Sequence, residues 1–284
     1  MKTCVYFPND NAEHFAVLEA FLTGIRSIGE DAELRSVNDY VPSDIAVVFG
    51  VGKKNVPCSY ARGKVIEEQK RNGKSTIVLE KGYVRRDSYY AAGWNGLNNR
   101  ANFRNAGMPS DRWNALDIRL KPWSRHGDKI LVIGQVPSDA SVQNVDIIEW
   151  CAKTILELSQ KVQGRQIVFR PHPLARSRTP DMLHAKTSTR SLAEDLDDAL
   201  FVVTYNSNVG VDAILEGVPV FVADRGAMAY DVASKRLEQA FMPAMPVVSQ
   251  WAHNLAYAQW SLDEMREGKP WAHLTRTEQQ VIAQ

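Results

Sequence analysis

The sequence has no paired cysteine pattern, no long apolar run and no surplus of charge of either sign. Its three cysteines, Cys4, Cys58 and Cys151, are odd in number and far apart. That excludes a disulfide framework and a cysteine-based metal finger. No apolar stretch approaches the roughly 18 residues of a membrane helix. The opening MKTCVYFPND lacks the apolar core of a secretory signal. The expectation is a soluble, cytoplasmic chain with no membrane span. Net charge is +1, from 34 basic and 33 acidic residues, so nothing global calls for a nucleic acid or a membrane surface.

What is present is ordinary in bulk and uneven in detail. At 284 residues the chain is long enough for one large domain or two of common size. Between Lys81 and Lys129 there are ten Lys and Arg against four Asp. This stretch suits either an anionic ligand or a solvated basic face.

Strand and helix patterns alternate along the chain. Thr3–Phe7 reads as a strand ending in the turn Pro8-Asn9-Asp10, and 12–28 carries apolar residues at helical spacing. A strand at 32–37, a clear one at Ile45–Phe49, a charged helix at 64–72 and a strand at 75–79 follow. Gly50-Val51-Gly52-Lys53-Lys54 lacks the spacing of a phosphate loop and reads first as a turn. Glu80 and Lys81 lie at a strand's carboxyl end, where open α/β folds place their chemistry. Periodicity then fails from 83 to 123, a stretch rich in Gly, Asn, Arg and aromatics that reads as one ordered binding loop.

The pattern restarts at Lys129–Ile133, with a helix at 144–162 and a strand at 166–169 that runs into Arg170-Pro171-His172-Pro173. The two prolines hold the imidazole at the strand end. His14, His126, His184, His253 and His273 have no such setting and read as structural or surface residues. The segment 191–224 forms a β-turn-α-β unit: a strand at 201–204, the turn Tyr205-Asn206-Ser207-Asn208, a helix closed by Gly217, and a strand at 218–222. Helix N-termini in such units present backbone N–H groups suited to phosphate. A single helix is expected over 252–267, and another beyond Trp271. The alternation predicts an α/β chain of two Rossmann-like halves.

Four blocks together resemble the capsular polysaccharide biosynthesis family, which includes the Kdo transferases that build capsule linkers. They are LEKGYVRRDSYYAAGWNGLNN, ILVIGQVPSDASVQ, IVFRPHPLAR and TYNSNVGVDAILEGVPVFV, in that order between about residues 77 and 225. The resemblance implies a glycosyltransferase-B (GT-B) architecture, two Rossmann-like domains facing a cleft. It divides the chain into an acceptor-side domain (1–122, with the binding loop 83–123), a nucleotide-sugar domain (123–255) and C-terminal helices (256–284) that pack back on the first.

The implied activity is transfer of a sugar from a nucleotide-activated donor to an acceptor hydroxyl, with no bound metal and no cofactor beyond the nucleotide sugar. By the same resemblance Gln135, His172, Asn206, Ser207 and Gly210 contact the donor; Asn208 of the same turn is a further donor-side candidate, and Arg170, where the family often has lysine, adds a fixed positive charge suited to phosphate. The acidic pair of the family's first block is Glu80-Lys81 here, so Glu80 and Asp87 are the carboxylates left to act as base, with His172 beside the departing phosphate. Arg85, Arg86, Trp94, Asn95, Arg100 and Arg104 are the acceptor-side candidates; Trp94, Trp113 and Trp123 suit either stacking on a sugar or base or packing of the loop. A glycan, or a hydroxymethylated base in bacteriophage DNA, would serve as acceptor. Two other readings remain open from sequence: a non-catalytic nucleotide-sugar-binding module, and a nucleotide-sugar epimerase.

Overall fold

A computed structural model of the chain describes residues 1–8, 11–52, 57–124, 126–137, 139–142, 145–162, 164–240 and 242–276. Asn9 and Asp10 of the expected turn, Lys53 and Lys54 of the glycine loop, and Asn144 at the expected helix start lie outside these residues. Met1–Leu116 and Ala252–Gln284 form one compact unit and Asp117–Trp251 a second. The divisions fall earlier than the expected limits at 122/123 and 255/256.

In the first unit the chain runs β1 (Thr3–Phe7), α1 (Ala12–Ser27), β2 (Ala32–Ser36), β3 (Ile45–Phe49), α2 (Pro57–Arg71), β4 (Ser75–Lys81), β5 (Tyr89–Trp94) and α3 (Asp111–Leu116). The second unit contains β6 (Lys129–Ile133), α4 (Ile147–Lys161), β7 (Gln166–Arg170), β8 (Lys186–Thr187), α5 (Leu192–Asp197), β9 (Ala199–Thr204), α6 (Val209–Leu215) and β10 (Val220–Val222). Helix α7 (Ser249–Ala256) leads back to the first unit, which ends with β11 (Gln259–Ser261), α8 (Leu262–Arg266) and α9 (Lys269–Thr275).

The first unit's sheet has the order β11-β5-β4-β3-β1-β2. Strands β2, β1, β3 and β4 are parallel, and β5 pairs antiparallel to both β4 and β11. Alternate residues point to opposite faces. Val5, Val47, Ile77 and Leu79 pack with Leu18, Phe21 and Ile25 of α1, whereas Tyr6, Ala46, Val48 and Val78 pack with Ala61 and Val65 of α2. Burial on both faces is why these strands read as unbroken apolar runs. Gly24 lets α8 reach α1, since a Cβ there would overlap the Met265 carbonyl oxygen.

The second unit is a parallel sheet in the order β10-β9-β6-β7-β8. Leu131, Ile133, Val202 and Val220 face Leu196, Ala213 and Ile214 on one side. On the other side Ile130, Val132, Phe169 and Phe201 face Cys151, Ile155 and Leu158 of α4. The chain moves outward from β6 through β7 and β8, then returns to the other side of β6 as β9. The strand ends of β6 and β9 therefore flank a topological switch point, where α/β folds bind ligands. Both units are thus α/β with largely parallel sheets, as the alternation predicts.

Two expectations are corrected. The stretch 83–123 is not a single loop: it holds β5, a 3-10 turn at Asn98–Arg100, and α3. Its strand escapes detection because Ala91, Ala92 and Gly93 stand where bulky β-formers usually do. A Cβ at Gly93 would lie 2.7 Å from the Phe103 ring, so packing demands the small residue. The single helix at 252–267 is instead α7, β11 and α8. Ser261 caps α8 in a reciprocal capping box with Glu264, which restarts the helix after the strand. Among the described residues, no helix is long and apolar enough to cross a membrane.

Candidate functional site

Each unit gathers polar side chains at the carboxyl end of its sheet. In the second, Gln135 follows β6 and Asn206 follows β9, and the two are joined across the switch point. The Gln135 Nε2 donates to Asn206 Oδ1 at 2.8 Å, and the Asn206 backbone N–H donates to Gln135 Oε1 at 3.1 Å. The Asn206 Nδ2 donates to the Ser141 carbonyl at 2.7 Å and to Asp224 Oδ2 at 2.8 Å. Both amides are buried, so their geometry is fixed by bonds to each other and not left to solvent. Ser141 and Asp224 were not singled out from sequence; the signal available was Asp224 two residues past the end of a strand.

The turn after β9 departs from expectation. The Ser207 N–H donates to Thr204 Oγ1, the Val209 N–H to Ser207 Oγ, the Gly210 N–H to the Ser207 carbonyl and the Val211 N–H to the Asn208 carbonyl. The amides at the start of α6 are therefore engaged within the turn and are not open donors. Gly210 has a packing reason as well, since a Cβ there would sit 3.1 Å from Ala229 Cβ.

His172 caps the 3-10 turn Pro173–Arg178, its Nδ1 accepting from the Leu174 N–H at 3.2 Å. A ring nitrogen that accepts carries no proton, so in the neutral ring the proton is on Nε2. Arg170 also has a structural partner: its Nη1 donates to Asp195 Oδ2 at 2.7 Å and to the Arg190 carbonyl at 2.6 Å. Asp195 is buried and also accepts from Ser188 Oγ at 2.6 Å. That nitrogen serves a buried ion pair that holds the β8–α5 connection. The Arg170 carbonyl accepts from Gly134 N–H at 2.9 Å, which places the ends of β6 and β7, and hence Gln135 and His172, on neighbouring strands.

In the first unit the carboxyl ends of β3, β4 and β5 meet the first turn of α1. Asn11 caps that helix by accepting from the His14 N–H at 3.0 Å. His14 stacks on Phe49, with ring centroids 4.1 Å apart and planes at 18°. Arg62 donates through Nη1 to the Phe49 carbonyl at 2.7 Å and lies 3.3 Å from His14 Nδ1. A guanidinium only donates, so Nδ1 accepts and the neutral ring again holds its proton on Nε2. Gly50 sits between Arg62 and Glu80, with a Cβ there 3.4 Å from Glu80 Oε2 and 3.6 Å from Arg62 Nη1. Glu80 Oε1 accepts from the Lys81 backbone N–H at 2.9 Å.

Lys81 points to the α1 side. Its ammonium pairs with Glu13 Oε1, which also accepts from the Tyr90 hydroxyl at 3.2 Å. The bond from Lys81 holds the Glu13 carboxyl below the usual range, and the bond to Glu13 raises Lys81 in turn. Burial, then the Glu13 charge, raises the Tyr90 phenol. Glu13, His14, Arg62 and Tyr90 were missed because they come from separate elements with no short-range pattern in common.

The candidates of the 83–123 stretch divide between the two ends of β4. Arg85, Arg86 and Asp87 are exposed on the β4–β5 turn at the carboxyl end. Arg85 is left-handed (φ 46°), and its carbonyl accepts from the Ser88 and Tyr89 N–H groups at 2.9 and 3.1 Å. The wholly buried Gln259 anchors this turn, accepting from the Tyr83 and Val84 N–H groups at 2.7 and 3.1 Å and donating to the Val84 carbonyl at 3.1 Å.

Trp94, Asn95, Arg100 and Arg104 are not with them. Asn95 bonds Thr76 at the start of β4, four residues or about 13 Å from Glu80 at strand rise. Trp94 packs on the core and donates to the Leu274 carbonyl at 3.0 Å, so it is a packing residue and not a stacking platform. Trp113 is buried too, and Trp123 donates to the Pro246 carbonyl in the second unit. Arg100 ends the 3-10 turn beyond Asn95, and Arg104 bonds the Arg276 carbonyl.

No protein-family pattern matches the chain, and no curated protein does. Solved structures do resemble it. The Thermosulfurimonas dismutans KpsC beta Kdo 2,4 transferase superposes with a TM-score of 0.59 at 14% identity, covering 88% of this chain and 89% of that one. The beta Kdo 2,7 transferase of the same organism's KpsC superposes with a TM-score of 0.52 at 15% identity, covering 95% and 98%. A Methanocaldococcus jannaschii UDP-GlcNAc 2-epimerase reaches only 0.30 at 12% identity, with 78% and 83% covered. At these identities the likeness to the two transferases is one of fold, and it runs through both units of the chain.

Proposed function

We propose that the chain is a glycosyltransferase that moves a sugar from a nucleotide-activated donor to a hydroxyl of a glycan acceptor without a bound metal. The observation that supports this most is the fold likeness to the KpsC beta Kdo 2,4 transferase across 88% of the chain. The second unit holds the donor at its switch point, where Gln135 and Asn206 shape the floor and the His172 Nε2–H donates to the phosphate. Charge on the departing nucleotide is met by hydrogen bonds instead of a cation. The first unit serves the acceptor: Arg85 and Arg86 reach its polar groups, and a carboxylate at the sheet's carboxyl end takes the proton of the attacking hydroxyl. Glu80 and Asp87 are the carboxylates the sequence brings forward. A glycan is favoured over a flipped DNA base because Trp94 and Trp113 are occupied in packing.

The test is product formation from a panel of CMP-, UDP- and GDP-sugars, with and without oligosaccharide acceptors, followed by mass spectrometry in the presence of EDTA. The expected result is acceptor-dependent gain of one sugar mass, unaffected by the chelator. Conversion of donor with no acceptor present would favour an epimerase. Binding of donor with no conversion under any condition would favour a non-catalytic module.

A further inference from the structure

The charge at position 81 is opposite to the one the motif resemblance leads one to expect, and the structure brings a carboxylate to that ammonium from another element. Lys81 ends β4, and its Nζ pairs with Glu13 in the first turn of α1. The Tyr90 hydroxyl of β5 bonds the same carboxylate. Both donors use Oε1. Among the described residues Oε2 carries no hydrogen bond, and the Glu13 side chain is 44% exposed. One oxygen is thus anchored at two points on a side chain that is partly exposed, which suits a group that must meet a substrate in a fixed orientation.

The other carboxylates at this end are less suited. Glu80 Oε1 is committed to a backbone N–H and its Oε2 lies on the Gly50 and Arg62 side. Asp87 stands on an exposed turn, and among the described residues no side-chain hydrogen bond orients it. The α1 turn that carries Glu13 is itself fixed, by the Asn11 cap and by His14 between Phe49 and Arg62.

We infer that Glu13 is the carboxylate that accepts the proton of the attacking hydroxyl, with Lys81 and Tyr90 as its positioning residues; this rests on the transferase reading above. The acceptor O–H bond breaks and its proton passes to Glu13 Oε2. The hydroxyl oxygen forms the bond to the anomeric carbon as the bond from that carbon to the phosphate oxygen breaks, and the nucleotide leaves with the electron pair. Lys81 and Tyr90 keep the group ionised and oriented. The charged and titratable neighbours are Lys81 at the end of β4, Tyr90 of β5 and His14 of the same helix. Their bonds and charges lower its pKa, so proton uptake needs the driving force of the reaction.

The experiment compares turnover and nucleotide binding for the full chain and its E13Q, E80Q, K81M and E13Q/K81D variants. Loss of a general base costs about 10²–10⁴-fold in rate, so E13Q is expected to lose at least about 100-fold in kcat. Its nucleotide-induced melting shift should stay that of the wild type, because the donor is held by the other unit. K81M is expected to keep measurable turnover and to move the acid limb of the pH–kcat/KM profile upward, since removing the ammonium returns Glu13 toward an ordinary carboxyl. E13Q/K81D restores a carboxylate at the end of β4, and partial recovery over E13Q is expected. E13Q turnover within about threefold of wild type, with E80Q inactive, would overturn the assignment and leave the transferase reading standing. A wild type that neither binds nucleotide nor forms product would overturn both.

Discussion

Replacing Arg112 with methionine should weaken the first unit by about 3 kcal/mol, at the low end of the cost of breaking a buried ion pair. Arg112 follows the start of α3 and forks onto Glu264 of α8, with Nη2 to Oε2 at 3.1 Å and Nη1 to Oε1. Its Nε donates to the Ala256 carbonyl at 3.2 Å and its Nη2 to the Gln259 carbonyl at 2.8 Å. The guanidinium lies 3.9 Å from the Trp260 ring centroid. The two side chains are 14% and 20% exposed. Methionine keeps most of the apolar stem but strands the Glu264 carboxylate and two carbonyls.

The low end of the range applies because Glu264 keeps its bond from the Ser261 N–H at 2.9 Å and some contact with water. The assay is native-state amide exchange at β11 and α8, since two units need not unfold as one and a single unfolding energy would be ill-defined. At about 1.4 kcal/mol per factor of ten, the loss should lower protection by roughly 100-fold. R112M/E264Q should recover about half of it, because the orphaned charge is gone. The turn at Tyr83 and Val84 should loosen too, as Gln259 carries both contacts. Protection at β11 within threefold of wild type in R112M would refute the reasoning.

Three further outcomes are expected. Burial is the main cause that pushes the His273 imidazole down to about 4 from an ordinary 6.5, against the opposing bond of Nε2 to the Phe103 carbonyl at 2.8 Å. The unfolded chain therefore takes up this proton at a higher pH than the folded one. Stability from the neutral ring is complete above about pH 6.5 and lost as pH falls toward 4, at most about 3 kcal/mol. Chemical unfolding at pH 7 and 4.5 should show that drop in wild type and a smaller one in His273→Gln; equal drops would contradict it. Gly24→Ala should destabilise by about 2 kcal/mol through overpacking against Met265, and a higher melting temperature, as helix propensity alone suggests, would refute the α1–α8 contact. Asn206→Asp replaces two donated bonds, to Ser141 O and Asp224 Oδ2, with acceptor facing acceptor. It should cost the second unit about 3 kcal/mol at pH 7 and recover as the carboxyls protonate, which thermal unfolding at pH 7 and 4 will register.

The strands buried on both faces could be read from sequence because burial leaves an unbroken apolar run, as in Ile45–Phe49 and Lys129–Ile133. Helix α1 could be read because its apolar residues recur on one face. Strand β5 could not: its Ala-Ala-Gly core answers to Phe103, a residue outside the strand. Helix α7 and α8 fused in the reading because Trp251, Leu255 and Met265 mimic helical spacing, although Ser261 and Glu264 mark a fresh N-terminus. At the sites, residue types were visible and their commitments were not. Gln135 and Asn206 were singled out singly, while the bonds between them link positions 71 apart. Arg170 reads as a phosphate ligand in sequence, and its partner Asp195, 25 positions away, is visible only in the fold. Glu13 drew no attention, since only the folded chain brings it to Lys81.

Binding of nucleotide by the second unit is the step on which the transferase account stands, and a melting-temperature panel measures it directly. The chain is titrated with CMP, UDP, GDP and their sugar conjugates. A ligand at about 100 times its dissociation constant stabilises the folded state by roughly 2.7 kcal/mol, a shift of several degrees. The account predicts a shift with one nucleotide class that is diminished in His172→Ala; a CMP-selective shift would point to a Kdo-type donor. No shift with any nucleotide or nucleotide sugar at saturating concentration would contradict it.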